Sequence, residues 1–236
     1  MSVRVALFAT CLGDRLFAEA CADAVRLLRR LGVEVTVPGG QSCCGQPALN
    51  AGHVDEARRM ARHTVEVFRD AEYVVLPSGS CAGMLRTHFP RILDGSDARS
   101  LAQRTFELSQ FIVKVLGVTE LGRGLEGRTL AYHHGCHALR ELGVRDEPLT
   151  LLAGAGGHVT PWEADEECCG FGGLFSVKMP AVSAGMADRK LATLPAVDTV
   201  VSADGGCLMQ MATRARRRGD PTTFRHLASV LWEGAS

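Results

Sequence analysis

Apolar positions along this chain alternate between two rhythms. Short apolar runs at 3–10 (Val-Arg-Val-Ala-Leu-Phe-Ala-Thr), 33–38 and 73–78 have the length and β-branched content of buried strands. Between them, residues 14–31 carry Phe17, Cys21, Ala24, Val25, Leu28 and Leu31 at helical spacing. Residues 54–70 carry Val54, Ala57, Ala61 and Phe68 on one face, so both stretches predict amphipathic helices. The rhythm then restarts, with strands expected near 128–133, 157–162 and 198–203. Strand–helix alternation predicts an α/β fold with parallel sheets, because parallel neighbours need a crossover that is usually a helix.

The restart is a true repeat. Cys11, Cys43 and Cys44 recur as Cys136, Cys168 and Cys169 at an offset of 125, and Cys81 recurs as Cys207 at 126. The neighbourhoods recur as well. Gly32-Val-Glu-Val-Thr-Val-Pro38 matches Gly157-His-Val-Thr-Pro-Trp162, and Ala71 to Cys81 matches Val197 to Cys207. Leu121-Gly-Arg-Gly-Leu-Glu-Gly127 has three glycines in seven residues and reads as a linker. Two domains are therefore expected, 1–125 and 126–236, each long enough for its own core.

Composition narrows the function. Hydrophobic residues make up 46% and charged residues 22% of the 236, as in core-forming globular proteins. Lys and Arg (26) cancel Asp and Glu (26), which removes the electrostatic case for a nucleic-acid or membrane-surface partner. No apolar run reaches the roughly 18–20 residues of a bilayer span. The first ten residues lack a signal-peptide layout and read as a strand, so a cytoplasmic location is expected.

The nine cysteines carry the chemistry. In a reducing compartment such a cluster points to metal binding or catalysis rather than disulfides, and an odd count pairs poorly. Each repeated cysteine falls just past the expected C-terminal end of a strand, the edge where open α/β sheets bind ligands. Three loops per half can thus bring four thiols together: Cys11, Cys43, Cys44, Cys81, and Cys136, Cys168, Cys169, Cys207. Cys21 has no partner in the repeat and sits on an apolar helix face, so it is read as a small buried hydrophobe. Zinc and iron–sulfur clusters both accept four thiolates. Adjacent cysteines with distant single ones, and no short C-x(2–4)-C knuckle, favour a multi-iron cluster over one tetrahedral ion.

The doubled arrangement, with Pro77-Ser-Gly-Ser-Cys81 and Glu167-Cys-Cys-Gly-Phe-Gly-Gly173, resembles the cysteine-rich CCG-domain family over nearly the whole chain. That family includes the cysteine-rich subunit of heterodisulfide reductase and the iron–sulfur subunits of glycolate- and glycerol-3-phosphate-oxidising enzymes; this chain resembles most its lactate-utilization branch. The resemblance implies an iron–sulfur subunit of a complex oxidising L-lactate to pyruvate. In the heterodisulfide reductase branch a further cysteine follows three residues after each last one. Here Met84 and Gln210 stand at those places. The four thiols left in each half suffice for one [4Fe–4S] cluster.

Other candidates weigh less. His133, His134 and His137 bracket Cys136, where hydrogen bonding around the site or a surface role is preferred to ligation. Arg214-Ala-Arg-Arg-Arg218 reads as a solvated helix end. Gly170-Phe-Gly-Gly173 superficially resembles a phosphate loop but lacks its Lys-Ser/Thr ending. The chain has no C-x2-C-x2-C-x3-C run and no flavin or nicotinamide fingerprint. The resulting expectation is an electron-transfer subunit working with a ferredoxin-type iron–sulfur subunit and a further subunit. The alternatives are a thiol–disulfide redox subunit and a zinc-stabilised structural protein.

Overall fold

A computed structural model describes residues 2–236. It contains two four-stranded parallel sheets flanked by helices, one per repeat. The first sheet holds β1 (Arg4–Leu7), β2 (Glu34–Thr36), β3 (Tyr73–Leu76) and β4 (Thr105–Glu107), in the order β2-β1-β3-β4. The second holds β5 (Thr129–Tyr132), β6 (His158–Val159), β7 (Thr199–Ser202) and β8 (Thr223–His226), in the order β6-β5-β7-β8. The registers coincide: Val5 pairs with Tyr73 in one sheet and Leu130 with Thr199 in the other. Inner strands are apolar on both faces, as in Val74-Val75-Leu76 and Val200-Val201, because helices cover both sides.

Two expectations are corrected. Each half has four strands where three were expected, since β4 and β8 carry one apolar residue each, Phe106 and Phe224, between polar neighbours. The helix expected over 14–31 breaks at Phe17 into Cys11–Leu16 and Ala18–Arg30. The first piece starts at Cys11 rather than near Asp14 because Thr10 caps it, its Oγ1 accepting from Gly13 N at 3.2 Å. Thr10 holds φ 65°, a left-handed value that a β-branched residue adopts only under constraint.

The halves pack about an approximate two-fold axis. The helix Gly79–Gly83 of the first half lies on Cys136–Leu142 of the second, and Gly205–Arg217 of the second lies on Cys11–Leu16 of the first. These are matching elements with roles exchanged. At the crossing the backbones approach so closely that a Cβ on Gly79 would collide with Ala138. One continuous core spans both halves, joining Val5, Leu7 and Val75 to Leu130, Val201 and Leu231. The C-terminal helix Leu227–Gly234 seals it against Ala18–Arg30. The linker joins that core too, for Leu125 is buried and its N–H donates to Ala155 O at 3.0 Å.

Candidate metal centre

Strand order decides where the cysteines meet. In the order β2-β1-β3-β4 the chain leaves β1 toward one edge and returns to the other side of it, so the switch point lies between β1 and β3. Cys11 follows β1 and Cys81 follows β3; the loop after β2 carries Cys43 and Cys44 to the same edge. Cys11 Sγ lies 3.6 Å from Cys43 Sγ, and Cys44 Sγ 3.5 Å from Cys81 Sγ. The second half repeats this at β5 and β7, where the Cys168 thiol interacts with those of Cys136 and Cys169, and the Cys169 and Cys207 sulfurs lie within 4.8 Å of each other. None of the nine cysteines is in a disulfide.

The glycine after each cysteine pair is a backbone requirement. Gly45 and Gly170 have φ of 87° and 82°, and a Cβ would stand 3.3 Å from Ala57 O in one case and 2.5 Å from Ser183 O in the other. The turn they make aims amides at sulfur: Gly45 N donates to Cys43 Sγ at 3.5 Å, Gly170 N to Cys168 Sγ at 3.4 Å, and Phe171 N to Cys169 Sγ at 3.5 Å. Thiol donors from Cys11 and Cys44 lower the Cys43 pKa, and donors from Cys136 and Cys169 lower that of Cys168. The same sulfur contacts, with burial, raise Cys11, Cys44, Cys136 and Cys169. Each half therefore holds one sulfur ready as thiolate, the form that binds metal. Four converging thiols with amide donors suit a thiolate-bound cluster.

Both sets open onto one cleft of about 270 Å³ between the halves, lined by all eight repeated cysteines together with Phe17 and Phe171. Cys21 is buried beside it, donating its S–H to Ala9 O at 3.2 Å, with burial pushing its pKa up to about 11. The residues standing where a further cysteine could follow are engaged in packing. Met84 is buried in the first core, and Gln210 Nε2 donates to Ser183 Oγ at 2.8 Å, which in turn donates to Gly170 O at 2.7 Å.

The three histidines separate. His137 lines the cleft, with Nδ1 paired to Glu141 at 2.7 Å. His133 and His134 are 1% and 3% exposed, which overturns the surface role for both. Burial lowers the His133 pKa to about 3. A ring nitrogen of His133 and the sulfurs of Cys169 and Cys207 lie within 4.8 Å of one another. Lys190 is buried nearby, donating to Ala164 O and, at 3.1 Å, to Asp165 O. Burial lowers its pKa to about 8 against the opposing pull of Cys169, Asp165 and Cys207.

Lys190 and Asp204 escaped the sequence reading. Asp204 matches Ser78 at the 126 offset and ties the halves together; the only signal in the chain was that alignment. The basic run is partly anchored, since Arg214 grips Asp188 through Nε at 2.9 Å and Nη2 at 2.5 Å. Phe171 of the glycine-rich loop packs against Gly206 at the cleft.

Two parallel sheets, each with a Cys-Cys-Gly turn and two flanking cysteines at its switch point, define a doubled cysteine-rich domain. The chain matches the CCG cysteine-rich domain over residues 5–86 and again over 130–212, and it belongs to that family. It is 45% identical to Lactate utilization protein A of Geobacillus sp. (strain WCH70), over 97% of this chain and 99% of that protein. The protein of the same name from Bacillus licheniformis is 44% identical, with the same coverage of each chain. Among solved structures, glutamate racemase RacE1 from Bacillus anthracis is similar at a TM-score of 0.40 and 12% identity, over 98% of this chain and 79% of that one. That likeness is too distant to bear on function.

Proposed function

We propose that this chain is an iron–sulfur electron-transfer subunit of a system that oxidises L-lactate to pyruvate. In this reading Cys11, Cys43, Cys44 and Cys81 hold one [4Fe–4S] cluster, and Cys136, Cys168, Cys169 and Cys207 hold a second. The observation that carries it is the gathering of two matching four-thiol sets, free of disulfides, on the two walls of one cleft. The bound cluster supplies one-electron chemistry. The chain's part is to ligate it, to exclude bulk water with Phe17 and Phe171, and to direct the amides of Gly45, Gly170 and Phe171 at sulfur.

The lactate assignment comes from relatives called Lactate utilization protein A, one of them 45% identical over nearly the full length. The chain lacks a ferredoxin cysteine run, so electrons leave through a ferredoxin-type iron–sulfur subunit, and a further subunit completes the complex. None of the described helices is long and apolar enough to cross a membrane. A cytoplasmic location is part of this proposal.

Anaerobic purification tests the reading. The protein should be brown, with broad visible absorption and comparable amounts of iron and acid-labile sulfide. It should not oxidise lactate with artificial acceptors unless partner subunits are added, because no hydride-accepting site is present in its sequence. A colourless protein carrying zinc, or robust lactate turnover by the chain alone, would overturn it.

A further inference from the structure

The repeat makes each half a control for the other, and two of the buried positions at which the cysteine sites differ concern the second site's polar groups. His133 follows β5 as Phe8 follows β1: Phe8 N donates to Val75 O at 3.0 Å and His133 N to Val201 O at 2.9 Å. Phe8 stacks on Phe68, with ring centroids 5.1 Å apart, and offers the first site no polar atom. The second difference lies on the helix after the Cys-Cys-Gly turn. Gly45 meets Ala57 and Met60 where Gly170 meets Ser183 and Met186, an offset of 126, so Lys190 stands where the first half has Thr64.

The imidazole of His133 is oriented by its far nitrogen. Nδ1 lies 3.2 Å from Asp165 O, and a carbonyl only accepts, so Nδ1 carries the hydrogen. In the neutral ring Nε2 is then a bare lone pair. It is buried and has no hydrogen-bond partner among the described residues. A doubly protonated ring would set a second cation beside Lys190 Nζ, which shares the Asp165 carbonyl. A histidine that binds metal through one nitrogen characteristically donates the other N–H to a backbone carbonyl. Donors about 2.1 and 2.3 Å from one tetrahedral ion stand about 3.6 Å apart. A nitrogen and two sulfurs within 4.8 Å of one another reach that spacing with shifts of about an ångström.

We infer that His133 is a metal ligand of the second half, binding through Nε2 beside Cys169 and Cys207, so that the second site has a nitrogen donor where the first has sulfur alone. This rests on the proposal that the second half is a cluster site. With four irons to ligate, the neutral His133 imidazole takes the place of one of the second set's four thiolates, and that replacement makes a centre easier to reduce, as when histidines replace cysteines in Rieske centres. The buried Lys190 cation acts in the same direction. The two centres should therefore differ in potential, with the second the more positive.

The experiment uses the full chain, reconstituted anaerobically with iron and sulfide, reduced with dithionite, and grown with either natural-abundance or 15N-labelled histidine. Pulsed EPR should show a strongly coupled nitrogen on one of two reduced centres, changing from the 14N to the 15N pattern with the label. His133→Phe, which copies the first half's residue, should remove that coupling and move one midpoint potential negative, leaving the other in place. His137→Asn should leave both readouts unchanged. The labelled wild type is decisive even if His133→Phe fails to fold. Iron with no histidine nitrogen coupling, or coupling that survives His133→Phe, overturns the ligand while sparing the cluster. A chain that binds no iron overturns both.

Discussion

Ser78 and Asp204 are the same position of the repeat, 126 residues apart, and they bond to each other. Ser78 Oγ donates to Asp204 Oδ1 at 3.3 Å, and Ser80 N donates to the same oxygen at 2.9 Å. A contact between equivalent positions marks where the approximate two-fold axis passes. The second half thus supplies the acceptor for the helix turn that carries Cys81, so the two sites are built in common. His226 reinforces the junction by donating from Nε2 to Pro77 O at 3.0 Å.

Asp204→Ala should consequently destabilise the whole chain. It leaves the Ser80 amide, and the Ser78 hydroxyl when it turns that way, without a buried acceptor, a loss of about 1–3 kcal/mol. In a chain of this length that is a fall of roughly 3–10 °C in Tm. Asp204→Asn keeps an oxygen acceptor and should lose less. Thermal unfolding followed by circular dichroism checks both, and an unchanged Tm in the alanine variant would show that the junction holds without this bond.

The Cys-Cys-Gly turn predicts an asymmetric response to alanine. Both glycines sit at left-handed φ, which costs a residue with a Cβ roughly 1–2 kcal/mol. At Gly45 the added Cβ meets Ala57 O at 3.3 Å, whereas at Gly170 it meets Ser183 O at 2.5 Å, against a helix pinned by Gln210. Gly170→Ala should therefore be the more damaging, lowering the urea midpoint further than Gly45→Ala and reducing iron retention in the second half. Equal effects would mean that the helix at Ser183 yields.

Burial gives Glu107 a pH signature. It ends β4 with Oε2 accepting from Ser109 N at 2.8 Å and Gln110 N at 3.1 Å, while Oε1 is buried without a partner among the described residues. Burial raises its pKa from 4.5 to about 7. Between those values the unfolded chain has lost the proton and the folded chain keeps it, so stability falls as pH rises. Above pH 7 the penalty is constant, on the order of 3 kcal/mol. Glu107→Gln should lack this slope, and its urea stability relative to wild type should improve by about 2 kcal/mol from pH 5 to pH 8. A constant difference across that range would assign the wild-type slope elsewhere.

What could be read from the sequence is what the repeat states twice. The cysteines, the Cys-Cys-Gly turns and the central strands recur at one offset, and their edge placement follows from strand–helix alternation. Lys190 was obscure, and His133 was read as a hydrogen-bonding or surface residue, because neither recurs: the other half has Thr64 and Phe8, and burial of a lone polar residue is invisible to periodicity. The edge strands Thr105–Glu107 and Thr223–His226 hold a single apolar residue each, Phe106 and Phe224, too few for a pattern of their own, and form by pairing with β3 and β7. Phe17 looked like a helix-face residue, yet its ring fills the space over Gly205 and lines the cleft.

The shared junction does not make one cysteine site depend on the other. Each four-thiol set is assembled by three loops of its own sheet, and the sulfur–sulfur contacts of 3.6 and 3.5 Å in the first half involve no cysteine of the second. Removing Cys43 and Cys44 as a serine pair therefore deletes half of one ligand set and none of the other, and the same holds for Cys168 and Cys169. After anaerobic reconstitution each double variant should retain roughly half the wild-type iron, since four thiolates still complete one cluster. Cys21→Ala, which removes only a buried S–H bond to Ala9 O, should retain all of it. Far-UV circular dichroism should remain native-like for all three, because the continuous core from Val5 to Leu231 is untouched. Loss of nearly all iron from both serine pairs would instead mean a single cluster bridging the cleft. Loss from one pair alone would mean that the other half keeps its cysteines without a cluster.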